Sequence, residues 1–327
     1  MVNIVRGCYL GIDVGSVSTK LVLLDGGGNV IHSIYRRTAG APIAAVQAGM
    51  RELRAAAGGA EVVAAGATGS ARQLTGAMVG ADVVKNEITA QAIGALHVVP
   101  DVRTVMEIGG QDSKMIILRD GVAVDFAMNS VCAAGTGSFL DQQAARLGIP
   151  IEEFGAYALR STRPARIAGR CGVFAESDMV HKQQLGYSRE DIIAGLCEAL
   201  VRNYLNNVGK AKEILPPVVL QGGVAANEGM KAAFEKALGC RVIVPAHFEV
   251  MGAVGAALLA QDYAEKNGLL TGRRRSKFKG FAIADLDYRG SSFICEDCSN
   301  LCEVVRIHEG EEVLATWGDR CSKWSQS

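Results

Sequence analysis

One pattern occurs twice in the chain: an acid, an aliphatic residue, a glycine, three small or polar residues, a hydroxyl and a lysine. It is found at Asp13–Lys20 (DVGSVSTK) and again, 94 residues later, at Glu107–Lys114 (EIGGQDSK). Each copy runs into an apolar strand, a glycine turn and a second strand (LVLLDGGGNVI and MIILRDGVAVDF). The spacing is too long for a solenoid repeat and suits a duplicated domain. In the first copy Asp13 ends a buried strand, and Gly15 to Thr19 offer small residues and backbone N–H groups able to close on phosphate. Two acid-tipped hairpins facing one another across a cleft are expected to clamp a nucleotide's phosphates and its Mg2+.

The rest of the chain alternates strands with helices. Val30–Tyr35 follows a turn at Gly26–Asn29; Ala41–Ala57 has helical spacing; Val62–Thr68 is a strand closed by Gly69-Ser70. Ser138–Leu147 is predicted helical with Gly148 as its stop, and Gly172–Leu185 with Gly186. Ser188 with Asp191 starts a long helix that Pro216-Pro217 ends. Val218–Leu220 is a buried strand opening on a third glycine turn, QGGVAAN, and the helix Glu228–Leu238. Arg241–Pro245 is a strand, and Met251–Ala260 a small-residue helix that can pack closely on its neighbours.

Composition narrows the function classes. Apolar residues make up 49% and charged residues 21% of 327, as in a globular chain long enough for two cores. Lys+Arg and Asp+Glu both number 34, so no overall field points to nucleic acid. The basic run Arg273–Lys279 reads as a solvated linker. No apolar run is long enough for export or membrane insertion, and a cytoplasmic protein is expected. Nine cysteines in a reducing compartment then point to metal or redox work rather than disulfides.

Cys132 stands just before AAGTG and a helix, and Cys171 before a glycine and a second helix. Both are placed at helix N-termini, where free N–H groups and the dipole favour thiolates. A cubane iron–sulfur cluster takes four thiolates. One chain supplies two in matched settings, so a two-fold homodimer holding one 4Fe–4S cluster completes the set. Cys8, Cys197 and Cys240 read as small buried residues, and the five histidines show no pair at ligand spacing.

The three turns GIDVGSVSTK, EIGGQDSK and LQGGVAAN resemble the phosphate-1, phosphate-2 and adenosine motifs of the superfamily of actin, sugar kinases and the large heat-shock chaperones. The implied fold class is α/β, a duplicated ATPase fold of two ribonuclease-H-like domains. With NSVCAAGTGSFLD and GRCGVFAESD added, residues 8–262 resemble the ATP-dependent activators of 2-hydroxyacyl-CoA dehydratases and the benzoyl-CoA reductase ATPase subunits.

That resemblance implies a homodimer with one 4Fe–4S cluster between subunits, held by Cys132 and Cys171, and MgATP in each subunit. It implies a low-potential electron passed to an iron–sulfur dehydratase or reductase, with ferredoxin or flavodoxin as donor and no nucleic-acid or membrane partner. By the same carry-over the loops Gly15, Ser16, Val17, Ser18, Thr19, Lys20 and Gly109, Gly110, Gln111, Asp112 bind nucleotide. Ser16, Thr19 and Lys20 would hold phosphates, Asp13 would act through Mg2+ or water, and Gln111 would orient the attacking water. Gly222, Gly223 and Asn227 would sit by the adenosine. Lys114 has an alternative, a pairing with Glu107 or a neighbouring carboxylate.

The expected domains are 1–100, with helix 251–265 packing back on it, 101–270, and an extension 271–327. Compact members of the family end near residue 265, so the extension departs from them and resembles the start of the extra region in longer, fused members. It carries Cys295, Cys298, Cys302 and Cys321 in C-x2-C-x3-C-x18-C, which fits zinc in a small β-ribbon or a second iron–sulfur cluster. The rival functions are a small-molecule kinase of the same fold, for instance for an amino sugar, and a chaperone-like ATP switch; neither has a use for Cys132 and Cys171.

Overall fold

The computed structural model describes residues 7–57, 59–129 and 132–325. The chain divides into two compact units, one formed by residues up to Gly94 together with those from Gly252 onward, the other by Ala95–Met251.

The first unit is built on a five-stranded sheet in the order β3-β2-β1-β4-β5. Its strands are β1 (Cys8–Val14), β2 (Ser18–Leu24), β3 (Val30–Arg37), β4 (Val62–Thr68) and β5 (Val83–Val84). Helices α1 (Pro42–Ala56) and α2 (Arg72–Val79) belong to it, and α3 (Glu87–Val98) carries the chain onward. The second unit repeats the order with β6 (Thr104–Ile108), β7 (Ser113–Arg119), β8 (Val122–Asn129), β9 (Val218–Gln221) and β10 (Val242–Ile243), as β8-β7-β6-β9-β10. In both sheets the three-strand meander is antiparallel and the central strand is parallel to the fourth. The duplicated motif therefore reflects a duplicated fold, with Asp13 opposite Lys20 and Glu107 opposite Lys114 in equivalent registers.

Between β8 and β9 lie α4 (Gly137–Leu147), α5 (Ile151–Leu159), α6 (Gly172–Gln184) and α7 (Arg189–Asn207); α8 (Glu228–Leu238) follows β9. Ser188 caps α7 by accepting the Asp191 N–H, and Gly148 closes α4 at φ +67°. Helix α7 ends sooner than the Pro216-Pro217 pair suggests. The N–H groups of Val208 and Gly209 both bond the Tyr204 carbonyl, which closes the last turn well before the prolines. The predicted strand Arg241–Pro245 is reduced to two paired residues, because only Val242 and Ile243 meet β9.

Helix α9 (Met251–Lys266) returns to the first sheet along a seam of small residues. A Cβ on Gly11 of β1 would run into the Ala253 carbonyl and lie 2.6 Å from the Ala257 nitrogen; one on Gly66 of β4 would meet the Ala256 carbonyl. Beyond α9 the chain forms an antiparallel ribbon of β11 (Tyr288–Ile294), β12 (Glu303–Glu309) and β13 (Glu312–Trp317). Ile283, Ala284 and Ile307 are fully buried with Val46, Met50 and Leu53 of α1, so this segment completes the first core. The basic run is only half solvated. Its arginines are exposed, but Ser276 and the Lys277 N–H bond the Asp82 carboxylate, and the Lys279 N–H bonds the Val79 carbonyl.

Gly11→Ala is expected to destabilise the first unit by about 1–3 kcal/mol, the usual range for overpacking. Gly26→Ala, whose methyl meets nothing within 4 Å, should leave the denaturant midpoint unchanged.

Candidate functional site

Asp13 occupies the next-to-last position of β1 and is 5% exposed. Its Oδ2 takes the Lys20 ammonium at 3.2 Å across the antiparallel pair. On its parallel side stands Thr68, followed by Gly69 at φ +97°. A Cβ on Gly69 would lie 2.7 Å from Asp13 Oδ1, and one on Gly252 would lie 2.6 Å from Oδ2. The carboxylate thus fills a cradle that two glycines leave open. The following turn is closed by Gly15 N–H on the Ser18 carbonyl, and Thr38 fastens it by donating to the Gly15 carbonyl. Ser16 is exposed at the tip, with Gly15 and Val17 half-buried beside it and Ser18 buried. Thr19 does not reach outward as a phosphate ligand would: it is fully buried and shares a 2.9 Å hydrogen bond with Thr38.

The second copy is built the same way. Glu107 is buried at the corresponding place on β6, and Lys114 bonds both its Oε2 (3.1 Å) and Asp112 Oδ2 (2.7 Å). Of the two roles open to Lys114, the structure shows the carboxylate pairing. Gly222, at φ +86°, follows Gln221 on the parallel neighbour; a Cβ there would lie 2.5 Å from the Ile108 carbonyl and 2.9 Å from Glu107 Oε1. The turn closes with Gly109 N–H on the Asp112 carbonyl, leaving Gln111 exposed at its tip. Gly223 is exposed with open space around it. Asn227 is committed to structure on one side, since its Oδ1 accepts the Met230 N–H and caps α8.

The Gly109–Gly110 turn is bonded directly to the start of α4. Gly137 N–H meets the Gly109 carbonyl and Ser138 N–H the Gly110 carbonyl, each at 2.9 Å, and Ser138 Oγ also donates to Gly110. Cys132 precedes this helix by a single 3-10 turn (Ala133–Gly135). Asn129 clamps the cysteine's backbone from both sides, accepting its N–H (3.0 Å) and donating to its carbonyl (2.9 Å). Cys171 stands at the N-cap of α6. Asn203, on α7, donates to the carbonyls of Gly169 and Arg170 just before Cys171, and a Cβ on Gly135 would lie 2.7 Å from its Oδ1. One buried asparagine therefore braces both cysteine segments. Both thiols are free and half-buried, and Val173 and Phe174 beside Cys171 are 70% and 65% exposed.

Two other thiols are sealed in the cores. Burial pushes Cys197 up to about 12, with the nearby Glu198 adding to it, and burial likewise raises Cys8. Cys240 is half-buried beside the second core. In the ribbon, Cys295 is buried, Cys302 half-buried, and Cys298 and Cys321 exposed. Among the described residues no three His, Cys, Asp or Glu side chains are drawn into a shell that could hold a metal ion. Sequence reasoning missed Thr68, Gly69 and Gly252, although Thr68-Gly69 is the first copy's counterpart of Gln221-Gly222. It also missed Asn129, whose local Asn129–Cys132 bonds show no periodic signal, and Asn203, whose role depends on contacts distant in sequence.

The two repeated β-meanders with acid–lysine pairs and left-handed glycines define the ATPase class of fold shared by actin and the sugar kinases. Within it, the chain belongs to the BadF/BadG/BcrA/BcrD ATPase family, which matches residues 10–260. The (R)-2-hydroxyglutaryl-CoA dehydratase activating ATPase of Acidaminococcus fermentans is 34% identical over 264 residues, covering 79% of this chain and 98% of the relative. The activator of lactoyl-CoA dehydratase of Anaerotignum propionicum is 35% identical over 260 residues, 79% of this chain and 98% of that protein. Among solved structures, the activator of the 2-hydroxyisocaproyl-CoA dehydratase from Clostridium difficile with bound ADPNP superposes with a TM-score of 0.74 at 31% identity, covering 80% of this chain and 96% of that one. Among the described residues no helix is long and apolar enough to cross a membrane.

Gly222→Ala combines a strained φ with a clash against Ile108 and Glu107. It is expected to lower ATP hydrolysis at least about 10-fold by displacing the acid that the glycine accommodates. Gly26→Ala, with open space and no positive φ, should hydrolyse ATP at the parent rate.

Proposed function

We propose that the chain is an ATP-hydrolysing activator of an iron–sulfur dehydratase or reductase acting on a CoA thioester. It would work as a homodimer in which Cys132 and Cys171 of each copy hold one shared 4Fe–4S cluster. The observation that carries this reading is the pair of hydrogen bonds from Gly137 and Ser138 to the Gly109–Gly110 turn. They tie a nucleotide-type loop to the helix that Cys132 introduces, so a change at one is felt at the other. The relatives' names, activators of acyl-CoA dehydratases, support the same partner class.

The residues present fit the cluster. Two free thiols per chain stand at N-cap positions with extended backbone, braced by one asparagine and flanked by an exposed apolar pair. Two copies supply the four thiolates a cubane takes. When bound, such a cluster stores one low-potential electron and passes it on.

The work of the chain itself is positioning. Phosphoryl transfer to water needs little covalent help beyond orientation and charge neutralisation. Ser16, the backbone N–H groups of Gly15–Ser18 and the loop Gly109–Asp112 would bind the phosphates, and Lys20 would leave Asp13 for them. Asp13, freed of its lysine, would then hold Mg2+ or its water, and Gln111 at its exposed tip would orient the attacking water. Gly222 and Gly223 would lie beside the adenosine. Loss of the γ-phosphate would relax the Gly109–Gly110 turn and, through Gly137 and Ser138, reposition α4 and the Cys132 segment. Reduced ferredoxin or flavodoxin would restore the electron.

Protein purified without oxygen is expected to be a dimer with about four irons per two chains and broad visible iron–sulfide absorption. Cys132→Ser and Cys171→Ser should each abolish the absorption while ATP binding persists. A monomer with no iron at Cys132 and Cys171 would overturn this reading and leave a kinase or switch of the same fold. Gln111→Ala should retain the absorption but lower ATP hydrolysis on the order of 10²-fold, the cost of a misplaced reactant.

A further inference from the structure

The four ribbon cysteines lie outside the region that matches the family. Strand β11 leads into Cys295, β12 starts just after Cys302, and β13 ends just before Cys321, with Cys298 in the loop that joins the first two. Because β11 and β12 are antiparallel, as are β12 and β13, all four cysteines emerge at the same end of the sheet. The opposite end is where the ribbon is anchored: Tyr288, the first residue of β11, is buried and donates its hydroxyl to the Met78 carbonyl.

The cysteine end is folded back on itself. Cys295 and Cys302 face one another one step beyond the last ladder pair, Ile294 and Glu303, and the Cys295 N–H bonds the Cys302 carbonyl at 2.8 Å. The segment bearing Cys321 returns to this point. Lys323 reaches Asp297 at 2.5 Å, and Trp324 stacks edge-on against Phe293 with ring centres 5.1 Å apart. The Trp324 indole N–H donates to Cys295 Sγ at 3.3 Å, while the Cys295 thiol itself donates to Asp297. An indole N–H is a donor with no acceptor capacity, and a thiol sulfur is a weak partner for it. A metal-bound thiolate is a far better one, and such outer donors are what orients and tunes a metal's ligands.

We propose that Cys295, Cys298, Cys302 and Cys321 form a mononuclear tetrathiolate site for Zn2+ that locks the free end of the ribbon. The strand pairing favours one ion over a cluster. Directly opposed residues hold their Cβ atoms about 4.5–5.5 Å apart. The sulfurs of a tetrahedral site with Zn–S bonds of about 2.3 Å lie roughly 3.8 Å from one another, within reach of such a pair. A cubane binds each thiolate to a separate iron and spreads them wider. Cys295 and Cys302 supply the fixed half of the site; Cys298 and Cys321, both exposed, swing in to complete it. Zn2+ binding displaces the thiol protons to solvent, including the one Cys295 donates to Asp297.

The test uses the full chain in a Cys132→Ser/Cys171→Ser background, which removes the proposed bridging cluster and separates this site from the functional reading above. Metal analysis of anaerobically purified protein should find about one zinc per chain. That zinc should be released by a mercurial reagent and lost in both Cys298→Ser and Cys321→Ser. Both substitutions are at exposed positions, so circular dichroism should show the fold retained. Zinc no higher in the parent than in folded Cys298→Ser would overturn the proposal. So would iron with visible charge-transfer bands that vanish in Cys298→Ser, or a Cys295–Cys302 disulfide found by mass spectrometry of protein prepared under alkylating conditions.

Discussion

A carboxylate buried at the tip of a central strand must be compensated, because removing charge from water without a partner costs several kcal/mol. This chain solves the problem twice with the same parts. Asp13 and Glu107 each receive a lysine ammonium from the antiparallel neighbour, at 3.2 and 3.1 Å. Each also has a left-handed glycine on the parallel neighbour, whose missing Cβ leaves the carboxylate its space. The two sites differ in how firmly the cation is held. Lys114 is 3% exposed and shared between Glu107 and Asp112, whereas Lys20 is 16% exposed and bonded to Asp13. The second copy thus gathers two carboxylates on one buried ammonium, while the first leaves its ammonium partly exposed. The two acids themselves are equally buried, so the copies differ in the surroundings of the lysine and not of the carboxylate.

The second unit turns that rigidity to use. Its acid–lysine triad holds the β6–β7 turn in one shape, and the carbonyls of that turn are taken up by the first N–H groups of α4. Helix N-termini leave several N–H groups without intrahelical partners; here two are spent on Gly109 and Gly110. Asn129 and Asn203 continue the connection to the Cys132 and Cys171 segments. The connection from loop to cysteine segments thus consists of backbone hydrogen bonds and two amides, Asn129 half-buried and Asn203 buried.

The duplication, the order of the motifs and most helices were legible because they depend on local chemistry: acid-glycine-lysine spacing, Ser188 as a cap, Gly148 and Gly186 as stops. Helices α2, α3 and α5 were not individually anticipated, since their small or mixed residues carry little periodic signal. The end of α7 was misplaced because its stop is a bifurcated bond at Tyr204, a feature that leaves no proline or helix-terminal charge to read. Thr19 illustrates a further limit. A hydroxyl in a phosphate-type motif looks like a ligand until the strand alternation turns it inward onto Thr38.

The ribbon shows how an addition becomes part of a fold. The 264-residue match that covers 98% of the Acidaminococcus fermentans relative leaves little of that protein to correspond to residues 281–325 of this one. Yet here Ile283, Ala284, Tyr288 and Ile307 sit in the core with α1 and α2, and Gln47, Arg51 and Arg54 of α1 all bond to residues Ile283–Leu286. Those α1 residues would otherwise face water. An amphipathic helix with half-polar flanks tolerates that exposure. Arginine and glutamine at its margin bridge to backbone carbonyls once a segment arrives, so burying the newcomer leaves no polar group stranded. Burial is deepest at the start of the segment and at Val304 and Ile307 of β12, and at the cysteine end it reaches Cys295 but not Cys298 or Cys321. That end is held by the Cys295–Cys302 backbone bond and by contacts among its own side chains, Trp324 on Phe293 and Lys323 on Asp297.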